Sequence, residues 1–114
     1  MQKQIIVVFA FIALDVVTGI IKAFSTGSYR SLKMREGLVH KLTECVAVAF
    51  GILVDYSLPV IGVTISFSMF SALVIYVVLM ESGSIIENVG VISPALGAKL
   101  SSLFSDTGAG DNKK

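Results

Sequence analysis

Tryptophan is absent from this sequence, and cysteine and histidine occur once each, as Cys45 and His40. One chain therefore holds neither an internal disulfide nor a zinc site built from Cys and His. Charge is also scarce: Asp, Glu, Lys and Arg make up 15% of 114 residues, whereas a soluble domain carries about 25%. Nine basic residues against eight acidic ones leave a net charge of +1, which gives no footprint for nucleic acid. No nucleophile stands beside a base, no phosphate-binding glycine loop is present, and no spacing suits a metal. The expectation is a protein that is not an enzyme, with no cofactor, no metal and no nucleic-acid partner. What is abundant is apolar surface, 54% of the residues with a mean hydropathy of +0.86. The lipid bilayer is the expected solvent, and the length allows one domain of three or four spanning helices.

The first apolar run, residues 5–24, is ~30 Å long as a helix and long enough to span. It is interrupted by Asp15, Thr18, Gly19 and Lys22. A cleaved signal peptide fits poorly, because no small-x-small site precedes Asp15 and the run overshoots a typical signal core. Residues 25–37 are polar and basic and read as a loop. The second candidate span, 38–58, has a clean apolar run only from Cys45 to Val54, so it either spans or lies on the surface. Ser57, Leu58 and Pro59 read as a break, with Pro59 at the start of the next helix. Val60 to Met80 contains no charge at all and is the clearest span. Ser84 and Glu87 have capping-box spacing, and Ser93-Pro94 is a second start signal. Ile85, Val89, Ile92, Leu96, Leu100 and Leu103 recur at steps of three and four, which predicts an amphipathic helical segment over 84–104, lying on the membrane surface. Residues 105–114 read as a disordered polar tail. The expected fold class is all-α: three transmembrane helices followed by a C-terminal amphipathic segment, with residues 1–104 as a single membrane domain.

Orientation follows from the loops. Lys22, Arg30, Lys33, Arg35 and Lys41 flank the first connection, against Glu36, while the second connection has only Asp55. The basic loop belongs in the cytoplasm, which puts the N-terminus outside and the C-terminus inside if all three runs span. Lys3 opposes this weakly.

At ~100° per residue, Asp15 and Thr26 lie within ~20° of one another, with Thr18, Gly19 and Lys22 nearby. The second helix repeats the pattern with Lys41, Glu44, Gly51 and Asp55, and His40 and Val48 lie close to the same line. A central charge costs ~2.5 to 3.5 kcal/mol to insert, about what the ten-residue apolar run returns. Such a stripe must face another helix, another subunit or water. Asp15, Thr18, Gly19, Lys22, Lys41, Glu44, Gly51 and Asp55 are thus the candidates for a polar or pore-lining stripe. For Asp15 the competing reading is a structural ion pair or hydrogen bond. Ala47, Gly62, Ser66 and Ala72 are small residues that suit close helix packing in lipid, with Gly51 and Ser68 beside them in the same pattern.

Together, Asp15-x-x-Thr18-Gly19-x-x-Lys22-Ala23, then Gly27, Ser31, Gly37-Leu38-x-x-Lys41-Leu42, and Glu81-x-x-Ser84-Ile85-x-Glu87-Asn88 with Pro94, resemble the small phage holins of the toxin-secretion and phage-lysis group. The resemblance covers about Asp15 to Pro94. It implies a bacterial cytoplasmic-membrane protein that oligomerises with copies of itself into lesions, with an endolysin or a toxin as cargo rather than as a tight partner. It carries over no catalytic residue. The short tail from Asp111 to Lys114 departs from the longer basic tails of such proteins. A non-lytic channel or an accessory membrane subunit is the alternative on the residues alone. A small multidrug exporter would need four spans and a membrane-embedded Glu, which the sequence does not clearly supply.

Overall fold

The computed structural model describes residues 1–28 and 30–106. Every regular element among them is a helix: α1 (Gln2–Thr26), α2 (Ser31–Val60), α3 (Met69–Ile92) and α4 (Pro94–Asp106). The first three are long and apolar enough to cross a membrane, at roughly 36 to 45 Å each. The chain is an all-α, multi-pass membrane protein, and its fourth helix is too short to span.

The helix ends explain where the sequence-based boundaries moved. Gly27 has φ 68°, a left-handed conformation suited to glycine, and the Ser28 N–H donates to Ala23 O at 2.9 Å. These close α1 as a glycine cap. The basic connection is then short, because α2 already begins at Ser31 and residues 31–37, expected in a loop, are its first turns. At the other end of α2, Gly62 has φ 85°, Gly62 N–H donates to Pro59 O at 3.1 Å and Val63 N–H to Leu58 O at 2.8 Å. That pair of bonds is a Schellman motif with Gly62 in the left-handed position. Pro59 therefore lies in the last turn of α2 and does not start the third helix.

Hydropathy alone made residues 60–80 one span, but residues 61–68 form a connection and the helix runs from Met69 to Ile92. Its first turn is capped by side chains. Ser68 Oγ accepts the Ser71 N–H at 3.0 Å, and Asp55 of α2 accepts the Met69 N–H at 2.7 Å and the Phe70 N–H at 3.0 Å. The N–H groups that a helix start leaves without intrahelical partners are thereby satisfied. Ser84 and Glu87, expected to open a helix, sit inside α3, where their capping geometry has no orphan N–H to serve. The surface segment expected over 84–104 is thus the end of α3 followed by α4. Pro94 opens α4, as its missing N–H favours. The expected tail begins later than residue 105, since α4 reaches Asp106; residues 107–114 lie outside the described residues.

The chain divides into two compact units. The first takes Met1–Phe9 and Arg30–Val78, the second Ala10–Tyr29 and Leu79–Lys114. In the first, α2 and the start of α3 are held by the Asp55 cap and by Gly51, whose bare Cα lies against the Phe70 backbone, and Gln4 Nε2 donates to Ser71 Oγ at 3.5 Å. In the second, the end of α3 and α4 meet at Gly90 and Gly97 across the Ser93-Pro94 break, so closely that a Cβ at Gly97 would overlap Gly90 Cα. Buried apolar side chains are few: Val8, Ile12, Val48, Phe70, Val74 and Val77. Large apolar side chains such as Phe9, Leu14, Val46, Phe50, Leu53 and Ile75 face outward instead. For a soluble protein this would be an aggregating surface; for a membrane protein it is the face that lipid covers.

Candidate functional site

On each of the three long helices a few polar residues share the buried face with apolar ones, while other large apolar side chains face outward. On α1 the buried line runs Val8, Ile12, Asp15 and Thr18, the spacing of one helical face. On α2 it runs Glu44, Val48 and Gly51. On α3 it runs Phe70, Val74, Val77, Glu81 and Asn88. Asp15, Thr18, Glu44, Glu81 and Asn88 are all buried. Of the stripes read from the sequence, Asp15, Thr18, Glu44 and Gly51 are buried, while Gly19, Lys22, Lys41 and Asp55 are half-buried.

The best-defined polar cluster lies in the second unit and joins α1 to α3. Asn88 Nδ2 donates to Asp15 Oδ1 at 2.9 Å and to Thr18 Oγ1 at 3.0 Å, with Asp15 O at 3.4 Å as a weaker third acceptor. The Thr18 hydroxyl donates back to its own helix, with Leu14 O at 3.0 Å and Asp15 O at 3.1 Å. Gly19 sits one position further on, and a Cβ there would lie 3.6 Å from Asn88 Nδ2, so a bulky side chain at 19 would displace the amide. Interhelical hydrogen bonds in membrane proteins contribute about 0.6 kcal/mol each on average, so the two short bonds hold the helices with an energy on the order of 1 kcal/mol. Lys22, further along the same stripe, is half-buried, and its carbonyl accepts the hydroxyls of Ser25 and Thr26 at 3.0 Å.

Glu44, in the first unit, is in a different state. Its Oε2 stands 3.5 Å from His40 Nε2, one turn earlier, while the His40 side chain is 63% exposed. Its Oε1 is buried with no hydrogen-bond partner among the described residues. Lys41 is half-buried on the same helix.

Asp55 has a structural task. Besides the two N–H groups of the α3 cap, it accepts the Ser68 hydroxyl at 2.6 Å, so both carboxylate oxygens are occupied. It borders an open cleft of about 380 Å³ beside the 61–68 connection, with Pro59, Thr64 and Ser66 among its lining. A carboxylate so engaged caps the start of α3.

The small residues expected to pack helices divide. Ala47 is half-buried on α2. Gly62 and Ser66 lie in the connection, exposed, and Gly62 has the positive φ that turns the chain there. Ala72 is on α3 but faces outward. Close approach is made by Gly51 and Gly97 instead.

Asn88 and Glu81 were missed as site residues because the third helix was ended at Met80. Continued past that point, the steps from Phe70 through Val74, Val77 and Glu81 to Asn88 describe one face, and both polar residues fall on it. No cluster of metal-binding side chains is present among the described residues.

No curated protein and no solved structure matches the chain. The family comparison does give a match, to the bacteriophage holin family, over residues 1–107. That stretch takes in all four helices and contains every segment that carried the resemblance in the sequence, two of which the fold joins at Asp15, Thr18 and Asn88; the chain belongs to the bacteriophage holin family.

Proposed function

We propose that this protein is a holin in the working sense: it accumulates in the bacterial cytoplasmic membrane, assembles with copies of itself and forms lesions through which an endolysin or a toxin leaves the cell. The single observation that carries this reading is the inverted pattern of the spanning helices, with Asp15, Thr18, Glu44, Glu81 and Asn88 buried and the outward faces apolar, in a chain of the holin family. Such a chain is compatible with lipid while closed and holds in reserve the polar surface that a water-filled lesion needs.

In the proposed mechanism the stripe of Asp15, Thr18, Gly19 and Lys22 and the stripe of Lys41, Glu44, Gly51 and Asp55 turn to line the lesion. Lipid-facing residues such as Phe9, Phe50 and Ile75 stay in the outer layer. Moving one charge across the membrane field is worth ~2.3 kcal/mol per 100 mV, comparable with the bonds that close the stripe, so a fall in potential biases the closed state toward opening. The protein does this as a pore and not as an enzyme. Its basic end around Arg30, Lys33 and Arg35 lies in the cytoplasm, with the N-terminus outside, the C-terminus inside and α4 lying along the inner membrane surface. Its partners are lipid and other copies of itself, with the hydrolase or toxin as cargo.

Expression of the protein alone in a bacterium tests the reading. A holin stops growth suddenly after a delay; an accessory subunit or a selective channel, verified in the membrane at the same level, lets the culture grow on.

A further inference from the structure

We propose that Asn88 is a latch: its amide holds the α1 stripe shut by occupying Asp15 and Thr18, and release of that amide is the step that lets the stripe meet water. The proposal rests on the lesion-forming reading above, and one arm of its test does not depend on that reading.

The geometry carries the argument. Asn88 reaches across from α3 with one amide group and engages the two buried polar side chains of α1, Asp15 and Thr18, within 3.0 Å. All three residues are buried, at 6%, 9% and 5% exposure for Asp15, Thr18 and Asn88. An amide suits the task. It is uncharged, so it adds no insertion penalty of the size a Lys or Arg would bring, and its two N–H groups match two acceptors. The hydroxyl of Thr18 is already turned to its own helix backbone, so in the closed state it offers Asn88 a lone pair. Gly19 lies beside the amide, where a built Cβ would already stand in ordinary contact with Asn88 Nδ2 at 3.6 Å, so the outer atoms of a larger side chain would compete with the amide for space. The latch is weak enough to open: two interhelical bonds in lipid correspond to a closed-to-open ratio that a modest perturbation overturns.

A charge at residue 15 that simply lines a pore and a charge at residue 15 that is latched by Asn88 behave differently when the two residues are exchanged. The variants are Asn88→Ala, Asp15→Asn, Gly19→Leu and the exchange Asp15→Asn with Asn88→Asp, each verified in the membrane at the wild-type level. Asn88→Ala and Gly19→Leu are expected to bring forward the collapse of membrane potential, with a roughly fivefold to thirtyfold shift in the closed-to-open ratio. Asp15→Asn is also expected to move the onset, and the exchange variant, which restores an Asp–Asn pair in reverse, to return it toward wild type. An exchange variant no different from Asp15→Asn alone would show that only the carboxylate's place on α1 matters, and would overturn the latch.

The second arm uses purified full-length protein in phospholipid vesicles, with carbodiimide and an amine nucleophile to label accessible carboxyl groups. Mass spectrometry reads Asp15 against the exposed Glu36 as an internal standard. Wild type is expected to label at Glu36 and hardly at Asp15, and Asn88→Ala to raise the Asp15 signal at least fivefold. Equal labelling of Asp15 in both proteins overturns the latch. A rise at Asp15 in a protein that leaves cells growing supports the latch and counts against the lesion-forming reading instead.

Discussion

Gly51 and Phe70 are in backbone contact: a Cβ built on Gly51 would stand 2.9 Å from Phe70 Cα, 3.1 Å from its N and 3.0 Å from Leu73 Cδ1. Two of those three neighbours are main chain, which cannot swing aside, so α2 and α3 have to separate to admit a methyl group. Gly51→Ala is expected to destabilise the protein by ~1 to 3 kcal/mol, the usual cost of overpacking. Gly37 lies on the same helix with nothing within 4 Å of its built Cβ. Gly37→Ala should instead stabilise by about 0.5 to 1 kcal/mol through helix propensity. Unfolding of the two variants in mixed micelles decides the matter: the same substitution on one helix shifts the midpoint in opposite directions.

The α3–α4 corner gives a second asymmetric pair. A Cβ on Gly97 would overlap Gly90 Cα, whereas a Cβ on Gly90 would lie an ordinary 3.9 Å from Gly97 Cα. Gly97→Ala is expected to push α4 away from α3 and to raise protease sensitivity near Pro94, while Gly90→Ala leaves the corner intact. Limited proteolysis in vesicles reads the difference, and equal cleavage of the two variants would count against the packed corner.

Asp55 is expected to act through the start of α3. Asp55→Ala removes the acceptors of the Met69 and Phe70 N–H groups and of the Ser68 hydroxyl, and Asp55→Asn keeps one acceptor oxygen. Thermal stability should therefore fall in the order wild type, Asp55→Asn, Asp55→Ala, with faster hydrogen exchange at residues 69–71 in the alanine variant. If both variants melt like wild type, the cap contributes nothing.

How much of this was legible in the sequence depended on which signal each feature leaves. Three spanning helices were readable because length and hydropathy set them, and the burial of Asp15, Thr18 and Glu44 because a polar residue inside an apolar run has to face protein. Residues 60–80 misled for the same reason. Lipid-compatible composition continues unbroken through the connection at 61–68, and the glycine that turns the chain at residue 62 looks identical to a packing glycine. The cap on α3 was hidden because its acceptor, Asp55, comes from another helix thirteen residues before Ser68. Asn88 was hidden by the helix end placed at Met80, since its partners on α1 are reached only when α3 continues. Ser93-Pro94 was legible because a proline at a helix start has a local cause.

Glu44 offers a test of stability. Its Oε1 is buried without a partner among the described residues, and an unsatisfied carboxylate oxygen costs more than a neutral amide oxygen in the same place. Glu44→Gln is expected to raise the unfolding midpoint slightly; a clear fall would mean that the carboxylate has a stabilising task at that position.

The central claim, that the polar faces of these helices open into a passage for protein, is tested most directly by inducing the chain in a bacterium with and without a cytosolic cell-wall hydrolase that has no export signal. Optical density and membrane potential are followed together. The account predicts a sharp, delayed loss of potential in both cultures and lysis only where the hydrolase is present. Steady growth and an intact potential, with the protein verified in the membrane, would contradict it.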